Sequence, residues 1–231
     1  MAGKAGQLNR RQFVAGAMAV PLLACDRGGT IADRAKPVHA PRVARQGDLV
    51  ELIRLEPGIQ LDIRYASTNN FTGQKLYDEP RAFLVRSAAE ALVRAHRAAQ
   101  RDGFGLTIFD AYRPWRVTKK LWDATPPGPK RNYVANPEKG SKHNRGCAVD
   151  LSLHRIDTGM LVEMPSGYDE FSERAHRDFM ATSPEAAANR SRLERYMEAE
   201  GFRGISNEWW HFDYAGWENF PILDVAFSEI R

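Results

Sequence analysis

Two segments far apart in this chain make a joint demand on any fold. The first is Ser141-Lys142-His143-Asn144-Arg145-Gly146-Cys147-Ala148-Val149-Asp150, and the second is Glu208-Trp209-Trp210-His211-Phe212-Asp213. Together they offer two imidazoles and a carboxylate, His143, His211 and Asp150, as ligands for one zinc ion. Three N/O protein ligands with a fourth position open is the pattern of a catalytic rather than a structural zinc. Glu208, three residues before His211, is left over and is placed to act as general base toward a metal-activated water. The middle of the chain must therefore fold against its end.

The spacing has local consequences. His143 and Asp150 are separated by an odd number of residues, which in a continuous strand puts them on opposite faces. Gly146 permits a turn or bulge between them, so His143 is expected from a loop and Asp150 from a strand. On that strand Ala148, Asp150 and Ser152 share the cleft face, while Cys147, Val149 and Leu151 face the core. Glu208 and His211 are also oddly spaced, which predicts Glu208 on the turn before its strand. Trp209 and Trp210 are expected to wall the site and lower its dielectric. Neither a lone His-to-Asp pair nor a lone E-x-x-H is specific; S-x-H-x-x-G-x-A-x-D joined to E-W-W-H is. His39, His96, His154 and His176 lack such context.

The N-terminus reads as a leader. Asn9-Arg10-Arg11-Gln12-Phe13-Val14 is a twin-arginine pattern, followed by an apolar run too short to span a bilayer. The run ends Leu22-Leu23-Ala24-Cys25, like a bacterial lipobox, so residues 1–24 are expected to be removed and Cys25 lipidated. Residues 25–48, rich in Arg, Gly, Pro and Ala, read as a flexible tether, and residues 49–231 as the catalytic domain. The expected location is the periplasm or cell envelope, with membrane contact only through the lipid. The net charge is +4, of which Lys4, Arg10 and Arg11 supply +3, leaving +1 for the rest. No basic stripe with interleaved aromatics remains, so nucleic acid is not an expected partner. With Cys25 acylated, Cys147 has no intramolecular partner and is expected to be buried and inert, a zinc thiolate being the alternative. The oligomeric state is left open.

From Leu49 the pattern is globular. Val50–Leu55 and Gln60–Tyr65 alternate like a strand pair around Pro57-Gly58. Residues 66–81 look like a long ordered loop, 86–101 a helix with Ala89, Leu92, Val93 and Ala99 at helical spacing, and 106–110 a strand. Pro114 suits the start of a helix reaching Asp123. A proline-rich loop over 124–140 is long enough to be functional. Strands are expected over 148–153 and 209–214, and helices over 169–181 and 184–200. The mixture predicts an α+β fold with a mainly antiparallel central sheet flanked by helices.

The two ligand segments resemble those of the zinc D,D-peptidases related to the hedgehog fold. Three further stretches, Leu61–Gly73, Asp110-Ala111-Tyr112-Arg113-Pro114 and Met164-Pro165-Ser166-Gly167-Tyr168-Asp169, are similar to the VanX-type D-alanyl-D-alanine dipeptidases within them. The resemblance spans roughly residues 50–225. It implies one zinc per chain on His143, Asp150 and His211. Glu208 would be general base and then proton donor to the leaving amine. Arg113 would stabilise the oxyanion, the other reading being a structural ion pair with Asp110. Asp169 would hold the free amine of D-Ala-D-Ala, and Ser141 would hydrogen-bond the substrate. The alternative activity is a zinc D,D-carboxypeptidase or endopeptidase acting on peptidoglycan stem peptides. A non-catalytic zinc-binding module would have lost its base, and Glu208 and Arg113 are both present.

Overall fold

A computed structural model describes residues 49–231. The expected leader, the tether and Cys25 lie outside the described residues. The chain runs β1 (Leu49–Glu51), α1 (Leu52–Leu55), β2 (Gln60–Leu61), β3 (Phe83–Val85), α2 (Arg86–Arg101), β4 (Phe104–Asp110), α3 (Trp115–Ala124), β5 (Ala148–Arg155), α4 (Pro184–Ala199), β6 (Phe202–Ile205) and β7 (Glu208–Tyr214). β1 and β3 form a small antiparallel pair. The main sheet has the order β2-β4-β5-β7-β6, and only β2–β4 is parallel. This is the α+β, mainly antiparallel architecture expected from the sequence.

Period decides which face of each element is buried. Along β5, Val149, Leu151 and Leu153 join the apolar core, while Asp150, Ser152 and His154 alternate to the other face. α2 places Ala88, Ala91, Leu92, Ala95 and Ala99 in the core and packs on β4 and on α4. Alanine there allows close approach of helix to sheet. α4 opens on Ser183, whose hydroxyl accepts from Ala186 N–H, with Pro184 in the first turn. Pro114 stands one residue before α3, as its fixed φ and missing N–H allow.

Two expectations fail. Val50–Leu55 and Gln60–Tyr65 do not form a hairpin: β1 pairs with β3, and β2 with β4. Leu52 N–H bonds to Ala82 O, and the chain turns at once into α1, with Glu51 gripped by Arg54 and Arg81 at 2.9 and 2.8 Å. The apolar alternation also suits a helical turn, since Leu52 and Leu55 are three apart. Residues 169–181 hold only a 3-10 turn, Glu173–Ala175. Side chains satisfy the backbone there, since Arg190 donates to the carbonyls of His176 and Phe179. Local periodicity carries no information about such distant donors.

Cys147 is fully buried, and burial pushes its thiol up to about 12. Its Sγ–H donates to Arg145 O, and it is not among the converging donors His143, Asp150 and His211, which removes the thiolate alternative. No helix among the described residues is long and apolar enough to cross a membrane.

Gly146 links the small sheet to the ligand-bearing turn. Its φ is +65°, its carbonyl accepts from Val85 N–H at 2.9 Å, and a Cβ there would lie 2.6 Å from Leu49 Cδ2 and 3.2 Å from Val85 N. Left-handed backbone at a non-glycine residue costs about 1–2 kcal/mol before any clash. Gly146→Ala should therefore lose at least about that much stability in urea unfolding. An unchanged midpoint would show that this turn is not under the constraint described.

Candidate active site

Strand register builds the centre of the site. Asp150 on β5 lies directly opposite His211 on β7, and Asp110 on β4 lies directly opposite Asp150. Residues directly opposite share a face, so three polar side chains form a row across three neighbouring strands. His143 joins them from a 3-10 turn, His143–Arg145, which ends on Gly146 in the left-handed region. The loop origin of His143 and the strand origin of Asp150 agree with the spacing.

The donor atoms converge. Asp150 Oδ1 is 2.9 Å from His211 Nδ1, His143 Nε2 is 3.2 Å from His211 Nδ1, and His143 Nε2 is 3.3 Å from Asp150 Oδ1. A tetrahedral zinc with ligands at about 2.0–2.1 Å holds them roughly 3.3 Å apart, so this triangle fits such an ion. The outer ring atoms fix the tautomers. His143 Nδ1–H donates to Ala111 O at 2.7 Å and His211 Nε2–H to Asp213 Oδ1 at 2.9 Å, which turns the other nitrogen of each ring inward.

Charge follows the same plan. Burial opposes a charge on His211, but its hydrogen bonds to Asp150 and Asp213 outweigh this and raise the ring to about 10. Burial opposes ionisation of Asp150, yet His143 and His211 hold its carboxyl well below the usual range. The cluster is thus set up for positive charge at its centre.

Glu208 is the first residue of β7, not part of the preceding turn. The odd spacing is resolved by a bulge instead: Gly204 pairs with Phe212, but the next residue, Ile205, pairs with Glu208. This brings Glu208 Oε2 to 3.9 Å from His211 Nδ1. Burial, with the charge of Asp150, pushes the Glu208 carboxyl up to about 7. Trp210 lines the cleft beside it, whereas Trp209 faces away and donates from Nε1 to Ser166 Oγ. Only one of the two tryptophans walls the site.

The remaining expected residues line the same cleft, which has a volume of about 210 Å³. Arg113 donates through Nε and Nη2 to Asp110 Oδ2 at 2.9 and 2.7 Å, and its Nη2 is 3.9 Å from Asp150 Oδ2. It is therefore an ion-pair partner of Asp110 and a cleft residue together. Asp169 is the one non-glycine residue with positive φ among those described, at 58°, a conformation aspartate tolerates better than most. Burial and the charge of Asp150 raise its carboxyl well above the ordinary range, and Tyr65 OH donates to it at 3.0 Å. Ser141 Oγ accepts from His143 N–H at 3.2 Å and so shapes the ligand turn.

Several members escaped the sequence reading. Asp213 follows His211 by two, which puts it on the same strand face, and that signal was legible. Its outer oxygen meets Lys142 Nζ at 3.3 Å. Tyr168 donates to Asp150 Oδ2 at 3.1 Å and Tyr77 to Asp110 Oδ1 at 2.7 Å. Tyr168 and Ala111 lie inside stretches singled out in the sequence, but their contacts to Asp150 and His143, like that of Tyr77 to Asp110, are brought in by the fold.

Asp213 gives a direct test of the centre. Replacement by Asn keeps the shape but removes the charge that orients His211. Zinc affinity, measured by chelator competition, should fall about 10–100-fold. Affinity unchanged in Asp213→Asn would show that His211 does not use this partner.

Comparison with known proteins places most of the chain in one family. The family model described as D-ala-D-ala dipeptidase, of the M15 peptidases, matches residues 45–228. A D-alanyl-D-alanine dipeptidase of Escherichia coli (strain K12) is 38% identical over 181 residues, 78% of this chain and 92% of that protein. One from Enterococcus faecium is 38% identical over 172 residues, 67% of this chain and 85% of that protein. One from Streptomyces coelicolor is 33% identical over 183 residues, 72% and 91% respectively. A match to a family over most of a chain, with every motif of the cleft inside it, leaves one conclusion: this chain belongs to the D-Ala-D-Ala dipeptidase family of M15 peptidases.

Proposed function

We propose that this chain hydrolyses the dipeptide D-alanyl-D-alanine to two D-alanines with one zinc ion on His143, Asp150 and His211. The observation that carries the reading is the pair of carboxyls in one cleft, the buried Glu208 beside the ligand triangle and the half-buried Asp169 hydrogen-bonded to Tyr65. The name shared by the three relatives supports the same substrate.

Zinc in such a site supplies Lewis acidity toward a carbonyl oxygen and makes water a nucleophile near neutral pH. Glu208 takes the proton from the attacking water and returns it to the leaving amine. Trp210 keeps bulk water from Glu208, and low dielectric strengthens each charge interaction around it. Arg113 keeps its charge throughout and faces the oxygen that becomes negative as the carbonyl is attacked. Asp110 fixes that guanidinium from behind, so it need not reorganise during the reaction. Asp169 receives the substrate's ammonium, and Ser141 hydrogen-bonds the substrate in the same cleft. A blocked or acylated N-terminus would leave Asp169 buried without a cation, which disfavours such substrates.

The leader motifs support a location for this activity. Twin arginines and the Leu-Leu-Ala-Cys stop direct the folded protein to the cell envelope, where Cys25 carries the lipid anchor. Its task there is salvage of D-Ala-D-Ala released during wall turnover.

Two experiments test these statements. Ninhydrin assays of the full zinc-loaded chain should give release of D-alanine from free D-Ala-D-Ala but not from its N-acetyl derivative. Glu208→Ala should lower kcat about 10²–10⁴-fold while zinc stays bound. Cleavage of the acetylated compound as fast as the free one would move the assignment to a wall carboxypeptidase. For the location, Cys25→Ser should shift the protein from the membrane to the soluble fraction on cell fractionation. Wild-type protein found in the cytosol would sink the export reading.

A further inference from the structure

The bulge that brings Glu208 beside His211 leaves a gap in the sheet. β6 and β7 pair in step from Phe202–Tyr214 to Gly204–Phe212, after which Ile205 meets Glu208. Trp209, Trp210 and His211 consequently have no partner residue on β6. Buried carbonyls that lose their ladder donors are destabilising unless another donor reaches them. Regular pairing would remove that difficulty, but it would also put Glu208 and His211 on opposite faces of the strand.

The Arg177 guanidinium fills this gap. Nε donates to Ile205 O at 2.8 Å on one strand, and Nη2 donates to Trp209 O at 3.2 Å and His211 O at 2.9 Å on the other. Nη1 is held at 3.2 Å by Glu194 Oε1 from α4, and the backbone N–H of Arg177 donates to Ser206 O in the β6–β7 turn. The ring of Phe212 covers the guanidinium, with Cζ 4.3 Å from its centroid. Room exists because residue 204 is glycine: a Cβ there would overlap the guanidinium carbon itself. A planar fork is needed to span three carbonyls on two strands, and a single ammonium does not reproduce it.

From this we infer that Arg177 is a positioning residue for the reaction: it replaces the missing strand ladder and so fixes the bulge that aims Glu208 and His211 into one cleft. It lies behind the strand and acts through the backbone of Trp209 and His211. Gly204 is the second half of the device, since its missing side chain is the space the guanidinium occupies. Two sequence features that local pattern leaves unexplained, a glycine inside a strand and an arginine in an irregular segment, thereby acquire one cause.

The turnover part of this inference rests on the dipeptidase reading, whereas its zinc part does not. Full-length Arg177→Ala, Gly204→Ala, the double variant and Arg177→Lys would be compared with wild type. Measurements are zinc affinity by chelator competition, kcat and KM on D-Ala-D-Ala, and thermal melting. Arg177→Ala and Gly204→Ala should each weaken zinc binding and lower kcat about 10–100-fold, with KM little changed. The double variant should be no worse than the worse single, because both changes remove the same guanidinium from the gap. Arg177→Lys should not restore kcat. Should Arg177→Ala fail to fold, Gly204→Ala decides alone. Zinc affinity and kcat at wild-type levels in a folded variant would overturn the inference, as would independent effects that multiply in the double variant. Loss of cooperative melting in both single variants would make the pair a requirement for folding and overturn it too. Wild type that binds zinc but cleaves no dipeptide would end the functional reading, while the zinc affinities of the variants would still test Arg177.

Discussion

Concentration of negative charge away from water governs this molecule. Asp110, Asp150, Asp169, Glu208 and Asp213 crowd around one cleft, and the first four are buried or nearly so. Unpaired, such a group would neutralise or destabilise the fold. Four of the five have a close counterpart instead, and Glu208 lies 3.9 Å from His211 Nδ1. Arg113 answers Asp110, His143 and His211 answer Asp150, Lys142 and His211 answer Asp213, and Tyr65 donates to Asp169. Asp150 and Asp213 are held as carboxylates by their histidine and lysine partners, whereas burial pushes Asp169 and Glu208 toward neutrality. That division is what lets neighbouring groups of the same chemistry take different parts in one reaction.

The frame that holds this charge is the antiparallel sheet. β4, β5 and β7 each contribute one residue of the Asp110–Asp150–His211 row, while the walls of the cleft come from loops and short turns. The apolar side of β5 and the alanine-rich face of α2 anchor the strands from behind. Rigid strands thus carry Asp110, Asp150 and His211, the groups whose spacing is set by register, and loop segments carry the rest of the cleft lining.

Much of this was legible in sequence because two periods report on two kinds of contact. α2, β4, α3, β5, α4 and β7 all show in the hydrophobic pattern. The ligand set shows in residue type and spacing, with Gly146 marking the break between His143 and Asp150. What was hidden depends on distant partners. Nothing near Leu52 reveals that its N–H will bond to Ala82, which is why a hairpin was expected where a helical turn stands. Nothing near Asp169 reveals that arginine side chains will hold the following segment without a helix. The odd spacing of Glu208 and His211 has two solutions, a turn or a bulge, and local sequence does not choose between them. Adjacency in sequence does not show that Trp210 lines the cleft while Trp209 is held by Ser166, at the part of β7 where the register is irregular.

The direct pairing of Asp150 with His211 has one more consequence. In an antiparallel pair, slippage by two residues preserves the apolar alternation, so burial alone discriminates weakly against it. Such a slip would set Asp150 opposite Trp209 or Asp213, and neither pairing rebuilds the ligand triangle. A bound cation stabilises only the chain in which the triangle exists. On the zinc reading proposed above, metal uptake would therefore double as proofreading of strand alignment: the ion would also select, from nearly equivalent pairings, the one in which His143, Asp150 and His211 converge.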